Sequence, residues 1–175
     1  MGRVNHLYSE RVTGRRQATD EEARALASSL RIRILRICLE PRTNKEIAEI
    51  LGRDPASILH HIRTLVRTGF IEPQPERRGA RGAREIPYLA TRKSWQLSAP
   101  AMDRTILDAF LEEAALVPAS ELDLTRLGLR LSEQDMAAFR HELRRLLDDF
   151  ASRPDDPAAP AWSVFVAIHP DPNRR

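Results

Sequence analysis

Residues 43–69 read TNKEIAEILGRDPASILHHIRTLVRTG, and the fold turns on this stretch. Thr43 followed by Glu46 has the spacing at which two side chains satisfy free amides at a helix start. Ile47, Ala48, Ile50 and Leu51 give that helix an apolar side. Gly52 stands where a helix commonly ends in a left-handed residue. Arg53 and Asp54 turn the chain. Asp54 then caps a second helix, with Pro55 at its first position, where a missing N–H costs nothing. Ile58, Ile62, Leu65 and Val66 recur three and four apart, so they form one buried stripe. Gly69 ends the helix. Two helices joined by a short turn containing glycine make a helix-turn-helix pattern.

His60 and His61 are adjacent, which on a helix sends them about 100° apart. His61 lies at the edge of the buried stripe, where its ring is expected to be hydrogen-bonded. His60 shares the other face with Ala56, Ser57, Arg63, Thr64 and Arg67. Neighbouring histidines cannot easily hold one metal from a helix. The i, i+4 zinc spacing with an intervening glutamate is missing here. His6, His141 and His169 are scattered. No metal or cofactor is expected. The exposed face is small and polar at its start and basic further on. Short side chains let a backbone approach closely, and Ser, His and Arg can reach base edges or phosphates, as entry into a major groove requires.

Upstream, residues 1–18 are polar and basic and read as an arm. Thr19 and Glu22 repeat the capping spacing and open a helix to about residue 29. A further helix over 31–39 turns Ile32, Ile34, Leu35 and Cys38 inward, leaving Arg31, Arg33 and Arg36 able to reach solvent. Downstream, 70–74 and 85–91 read as strands flanking the Gly/Arg-rich loop PERRGARGAR, which makes a hairpin or wing. Pro73 and Pro87 imply edge strands, because proline donates nothing to a ladder. Beyond the wing, a helix over 101–117 places Ile106, Leu107, Phe110, Leu111 and Ala114 on one side. Residues 127–131 alternate as a short strand. Ser132 with Asp135 opens a long helix to about residue 152, and 162–168 is an apolar final strand. Strand, helix and strand in that order predict a small βαβ unit.

The 175 residues include 28 Lys/Arg and 25 Asp/Glu, and the net charge of +3 hides a division. Residues 53–93 hold nine basic and four acidic side chains, a balance of +5, whereas 94–175 hold nine and fourteen, a balance of −5. Charge alone leaves two readings of equal weight, a first half that meets a polyanion and a solvated surface with chance clustering. No apolar run reaches the roughly 18 residues that span a bilayer. The N-terminal residues lack a secretory h-region, and Cys38 is a lone cysteine, so a cytoplasmic location is expected with no membrane partner. Cys38 reads as a small core residue. A nucleophile–base pair, a phosphate loop and a metal cluster are all missing, which excludes the common enzyme classes.

The segment LRIRILRICLEPRTNKEIAEILGRDPASILHHIRTLVRTGFIEP resembles the ArsR-type winged helix of bacterial transcription regulators. The resemblance rests on the Leu-Arg-x-x-Ile-Leu start, the Thr-x-x-Glu-Ile-Ala helix and Ser-x-x-His-His-Ile-Arg-x-Leu before Gly-Phe-Ile. It covers about residues 20–92. It implies a homodimer on two-fold operator DNA. Ser57, Leu59, His60 and Arg63 then occupy the recognition-helix positions, where Leu59 departs from the small polar residue often found there. Thr43 and Lys45 would meet phosphate at the preceding helix start. Arg53 in the turn and Arg67 at the helix end join that surface. Arg77, Arg78, Arg81 and Arg84 would be the wing's backbone or minor-groove contacts. The cysteine pairs of metal-sensing members are lacking, which sets this chain apart from them.

The expected fold class is mainly α with a β-hairpin wing (α+β), a winged helix-turn-helix domain followed by a small α/β C-terminal unit. The expected organisation is an arm over 1–18, the DNA-binding domain over 19–97 and a dimerisation or effector unit over 98–175. The expected partners are double-stranded DNA, a second copy of the chain and an unidentified small-molecule effector. The competing expectation is a winged helix used as a protein-interaction module, docking through its acidic C-terminal unit. The arginine wing weighs against that, because a protein-only module has no need of one.

Overall fold

The computed structural model describes residues 16–79, 82–98, 100–154, 156 and 158–174, without the side chains of 100 and 101. Of the expected arm, all but its last three residues lie outside this range, as does Arg81. The chain divides into two compact units, 1–119 and 120–175.

The first unit is an α+β winged helix-turn-helix. Its helices are α1 (Asp20–Leu26), α2 (Ser29–Ile37), α3 (Asn44–Leu51), α4 (Pro55–Arg67) and α5 (Pro100–Ala114). Its short strands are β1 (Arg16–Gln17), β2 (Arg42–Thr43), β3 (Ile71–Pro73), β4 (Arg77–Arg78), β5 (Arg84–Glu85), β6 (Pro87–Ala90) and β7 (Leu97–Ser98). Each of the first four helices opens on a side-chain cap, at Thr19, Ser28, Thr43 and Asp54. Capping boxes form at both Thr19/Glu22 and Thr43/Glu46. The expected stripes meet in one core, where Leu26, Ile34, Cys38, Ile47, Ile58, Leu65 and Leu97 are completely buried, but Ile50 of the stripe expected on α3 falls outside it, 55% exposed. Burial also pushes the Cys38 thiol up to about 12.

The wing differs from expectation in one respect. β6 is the central strand of a sheet ordered β2-β6-β3, with Arg42 opposite Tyr88 and Ile71 opposite Ala90. Pro87 is tolerated there because it is the first residue of the strand. Its carbonyl still accepts from the Gln74 N–H at 2.8 Å. The unforeseen strand is β2, which is too short to show any alternation.

The arginines of α2 do not simply point to solvent. Arg31 donates to the Ala25 carbonyl and, at 2.7 Å, to the Arg24 carbonyl, closing the end of α1. Arg33 and Arg36 pair with Glu112 and Glu113 of α5, at 3.4 and 2.7 Å. The first unit therefore extends beyond residue 97 to include α5. That helix buries Met102 and Ala109, with Ile106 packed against the core. The face predicted for it is shifted, since Leu111 is 54% exposed. Residues 102, 106 and 109 are spaced four and three apart, but the two buried ones, Met102 and Ala109, are flexible or small side chains that a search for large apolar residues passes over.

Glu22 is a hub. Its carboxylate accepts from Arg16 Nη1 and Nη2 at 2.7 and 2.6 Å, from Lys93 Nζ at 2.7 Å and from the Thr19 N–H at 2.9 Å. Lys93 Nζ also donates to the Thr68 carbonyl at 2.6 Å, a cation placed on the C-terminal end of α4. β1 pairs in parallel with β7, so residues 16–18 are fastened beside this hub.

In the second unit, α6 (Glu133–Ala151) forms as expected behind the Ser132 cap. Segments 127–131 and 162–168 join no ladder among the described residues. The expected βαβ unit is thus represented only by its helix. Alternation makes a segment fit for a strand, but a strand exists only with a hydrogen-bonded partner.

The Arg16 hydrogen bonds, followed by those of Lys93, hold the Glu22 carboxyl well below the usual carboxylate range. A depressed folded-state value gives stability that is complete above the unfolded value of about 4.3 and is lost as pH falls through the depressed range. Glu22→Gln should therefore unfold at lower urea than the parent at pH 7. The gap should narrow at pH 3. Urea midpoints at the two pH values check this, and an equal gap at both would show that the carboxylate's charge is not what stabilises the hub.

Candidate nucleic-acid interface

The interface is built on the turn between α3 and α4. Gly52 has φ 60° and ψ 40°, a left-handed conformation natural to glycine. The Arg53 N–H reaches back to the Ala48 carbonyl at 2.9 Å, closing α3. Asp54 Oδ2 accepts from the Ser57 N–H at 3.0 Å, opening α4. Asn44 Nδ2 donates to the Pro55 carbonyl at 3.0 Å and ties the two helix starts together. Sequence reading misses this tie. Asn44 is unremarkable at a first helical position, and only the tertiary turn brings Pro55 to it.

With Ile58, Ile62 and Leu65 buried, the opposite side of α4 must face outward. Ser57, His60, Arg63 and Arg67 are exposed, and Leu59 is half-buried beside them. His61 is half-buried as expected, but its Nδ1 is buried without a hydrogen-bond partner. Burial, then the nearby Arg31 charge, then His60, push its imidazole below the ordinary value and favour the neutral ring. The two rings meet edge-on, 5.7 Å between centroids.

The other expected contacts separate into groups. Lys45 is exposed at the start of α3 and Arg53 is exposed in the turn. Thr43 is buried at 3%, its hydroxyl occupied in the cap of α3, so the side chain expected at a phosphate serves the helix instead. Arg67 lies at the far end of α4, with its Nε 3.3 Å from Glu21 Oε1. A groove of about 400 Å³ there is lined by Asp20, Glu21, Arg24 and Thr64 as well as Arg67. This acidic neighbourhood makes Arg67 the least suited of the set to meet a polyanion.

In the wing, β4 and β5 pair with Arg77 opposite Glu85 and Arg78 opposite Arg84. Arg78 and Arg84 are exposed, the latter 3.5 Å from Glu76. Arg77 Nη2 binds Glu46 Oε1 at 2.6 Å. Glu46 also accepts from the Thr43 N–H at 2.7 Å, so one carboxylate caps α3 and holds the wing. The backbone hydrogen bond from Thr43, with burial opposing it, keeps the Glu46 carboxyl below its ordinary value. No sequence pattern links positions 46 and 77. A second groove, of about 290 Å³, runs between α4 and the wing past Ile62, Val66, Pro73, Ile86 and Tyr88, with Arg63 and Arg67 at its edge.

Among the described residues, no three His, Cys, Asp or Glu side chains gather where they could share a metal, and no helix is long and apolar enough to cross a membrane.

Residues 26–74 match a family described as a helix-turn-helix domain. No curated protein matches the chain. Solved structures similar to it include Lactococcus lactis ZitR, wild type in complex with DNA, at 18% identity, covering 70% of this chain and 74% of that one, with a TM-score of 0.32. The transcriptional regulator SlyA is similar at 18% identity, over 70% and 74%, with a TM-score of 0.33. MepR, a transcription regulator of the Staphylococcus aureus multidrug efflux pump MepA, is similar at 17%, over 75% and 79%, with a TM-score of 0.32.

Glu46→Gln keeps the shape of the capping box but removes the charge that holds Arg77. A half-exposed ion pair contributes at most about 1 kcal/mol, so global stability should fall only slightly. Amide hydrogen exchange over 77–85 should quicken while that of α4 stays unchanged. Unaltered exchange in the wing would mean that its own hairpin, rather than Glu46, fixes it.

Proposed function

We propose that the chain is a sequence-specific DNA-binding transcriptional regulator of the ArsR-type winged-helix kind, acting in the cytoplasm as a homodimer. The observation that carries this reading is the two-sided character of α4. Its apolar stripe is sunk in the core while Ser57, His60 and Arg63 stand exposed on the other side, beside a basic wing. The helix-turn-helix match over 26–74 supports the same reading.

In this reading α4 enters the major groove. Arg63 donates to a guanine edge or a phosphate, and Ser57 and His60 read neighbouring base edges. Leu59 offers apolar contact to a thymine methyl. Lys45 and Arg53 meet phosphates beside the turn. Arg78 and Arg84 meet the backbone or enter the minor groove, joined by Arg77 when phosphate displaces Glu46. A homodimer doubles these contacts and imposes a two-fold operator with half-sites about 34 Å apart.

The test is selection of genomic fragments by the purified full chain at near-physiological salt, followed by sequencing. A two-fold symmetric motif is expected. Weak binding with no motif would sink the reading in favour of an interaction module. On the selected site, replacing Arg78 and Arg84 with Ala should weaken binding to all sequences, and should reduce the salt slope by roughly 0.9 for each phosphate no longer neutralised. His60→Ala should change base preference at one position per half-site more than it changes overall affinity.

A further inference from the structure

The carboxylate of Glu46 stands where a surface for polyanions has no need of one. Each member of the Glu46–Arg77 pair adjoins in sequence a cation proposed to meet phosphate, Glu46 beside Lys45 and Arg77 beside Arg78. Among the described residues, three arginines of the proposed interface hold ion pairs, and the pairs differ in kind. Arg84 lies 3.5 Å from Glu76 and Arg67 lies 3.3 Å from Glu21, with all four side chains more than half exposed. Arg77 Nη2 lies 2.6 Å from Glu46 Oε1, and both side chains are less than half exposed. The other oxygen, Oε2, accepts from the Thr43 N–H at 2.7 Å. Exposed pairs are weak partly because two long side chains must be ordered to form them. The cap of α3 has already ordered Glu46, so this pair is the firmest hold on any of the three arginines.

We infer that Glu46 is a specificity-determining residue, which withholds Arg77 from a duplex resting on the wing in no fixed register and yields it to one seated with α4 in its groove. Non-specific binding is held almost wholly by phosphate contacts. A loosely held duplex keeps its phosphates solvated, and salt screens their pull over roughly 8–10 Å. Against that, a carboxylate in direct contact keeps the arginine. Seating α4 fixes the duplex and lets a phosphate reach Arg77 itself, where a guanidinium donates two parallel hydrogen bonds to an anion. Glu46 retains its hydrogen bond from Thr43 during this exchange, so the start of α3 stays intact. Arg78 is exempt, because strand alternation sends it to the opposite face of β4, where it is exposed. One phosphate contact therefore counts for seated duplexes alone, and the gap between specific and non-specific affinity widens by that contact.

This inference rests on the proposed meeting of the wing with DNA, but its main test needs no operator. The full chain is titrated with a short duplex of arbitrary sequence over a range of salt. E46Q should bind this probe up to about fivefold more tightly, as release of one exposed ion pair allows. Its salt slope should steepen by roughly 0.9, one further phosphate. Glutamine also serves in a capping box, so α3 keeps its start. Adding R77A should lower the slope by about 0.9 in E46Q and by less than half of that in the parent. Equal losses in both backgrounds would show that Arg77 is already free in the parent and would overturn the inference. A gain from E46Q that R77A leaves intact would also overturn it, since that reports only the removal of a negative charge. On a fragment that the chain selects, E46Q should leave the slope as it is, because Arg77 is released there. A steepening as large as on the arbitrary duplex would mean that seating never releases it, and would overturn that half. A parent that binds no duplex would overturn this inference and the proposed function together. One that binds duplex but selects no motif would fail only the latter, and the two R77A losses would still decide whether Glu46 withholds Arg77.

Discussion

The left-handed turn at Gly52 is the constraint on which the first unit depends. A side chain in that conformation costs about 1 kcal/mol or more, and glycine avoids the cost. With Gly52 and the Asp54 cap in place, α4 leaves α3 at an angle that drops Ile58, Ile62 and Leu65 into the core. The outward face is then decided by exclusion: burying three apolar side chains turns Ser57, His60 and Arg63 to the surface. Burying an aliphatic side chain contributes roughly 1.5–3 kcal/mol, several times the value of an exposed polar contact, so the core decides which side chains are offered to a ligand.

Charge operates on a weaker scale and divides the basic residues by what already holds them. Arg16 and Lys93 are committed to Glu22, Arg31 to the carbonyls of α1, and Arg33 and Arg36 to α5. These are structural cations. Lys45, Arg53, Arg63 and Arg78 carry no ion pair among the described residues, whereas Arg77, Arg84 and Arg67 hold exposed pairs. Exposed pairs contribute about 0–1 kcal/mol, so phosphate can take over an arginine such as Arg77 at little cost. The basic balance of 53–93 therefore overstates the cations immediately available to a polyanion and understates those a ligand could recruit.

What can be read from the sequence follows from how local each signal is. Caps at Thr19, Thr43 and Asp54, the turn at Gly52 and the stripe of α4 depend on neighbours within four residues, and all of them are found in the structure. On α5 the predicted face is shifted rather than wrong: Ile106 packs against the core, but its buried neighbours Met102 and Ala109 make a quieter signal than the exposed Leu111. Resemblance sends Thr43 to phosphate, although its own capping spacing already gives its hydroxyl another partner. The Glu46–Arg77 and Asn44–Pro55 ties are illegible, since pairing across 31 and 11 positions is set by the turn and the wing together. Segments 127–131 and 162–168 show the limit of alternation, which specifies a face but not a partner.

The proposed homodimer answers a limit of affinity. In the proposed function, three base-reading side chains at about 1–3 kcal/mol each, with a handful of phosphate contacts, give a single winged helix only modest discrimination between sites. Two copies held together offer six such side chains and twice the phosphate contacts. The second copy binds at an effective concentration set by the linkage rather than by its abundance. In the proposed homodimer, the association of two copies is therefore what supplies the second half-site reader.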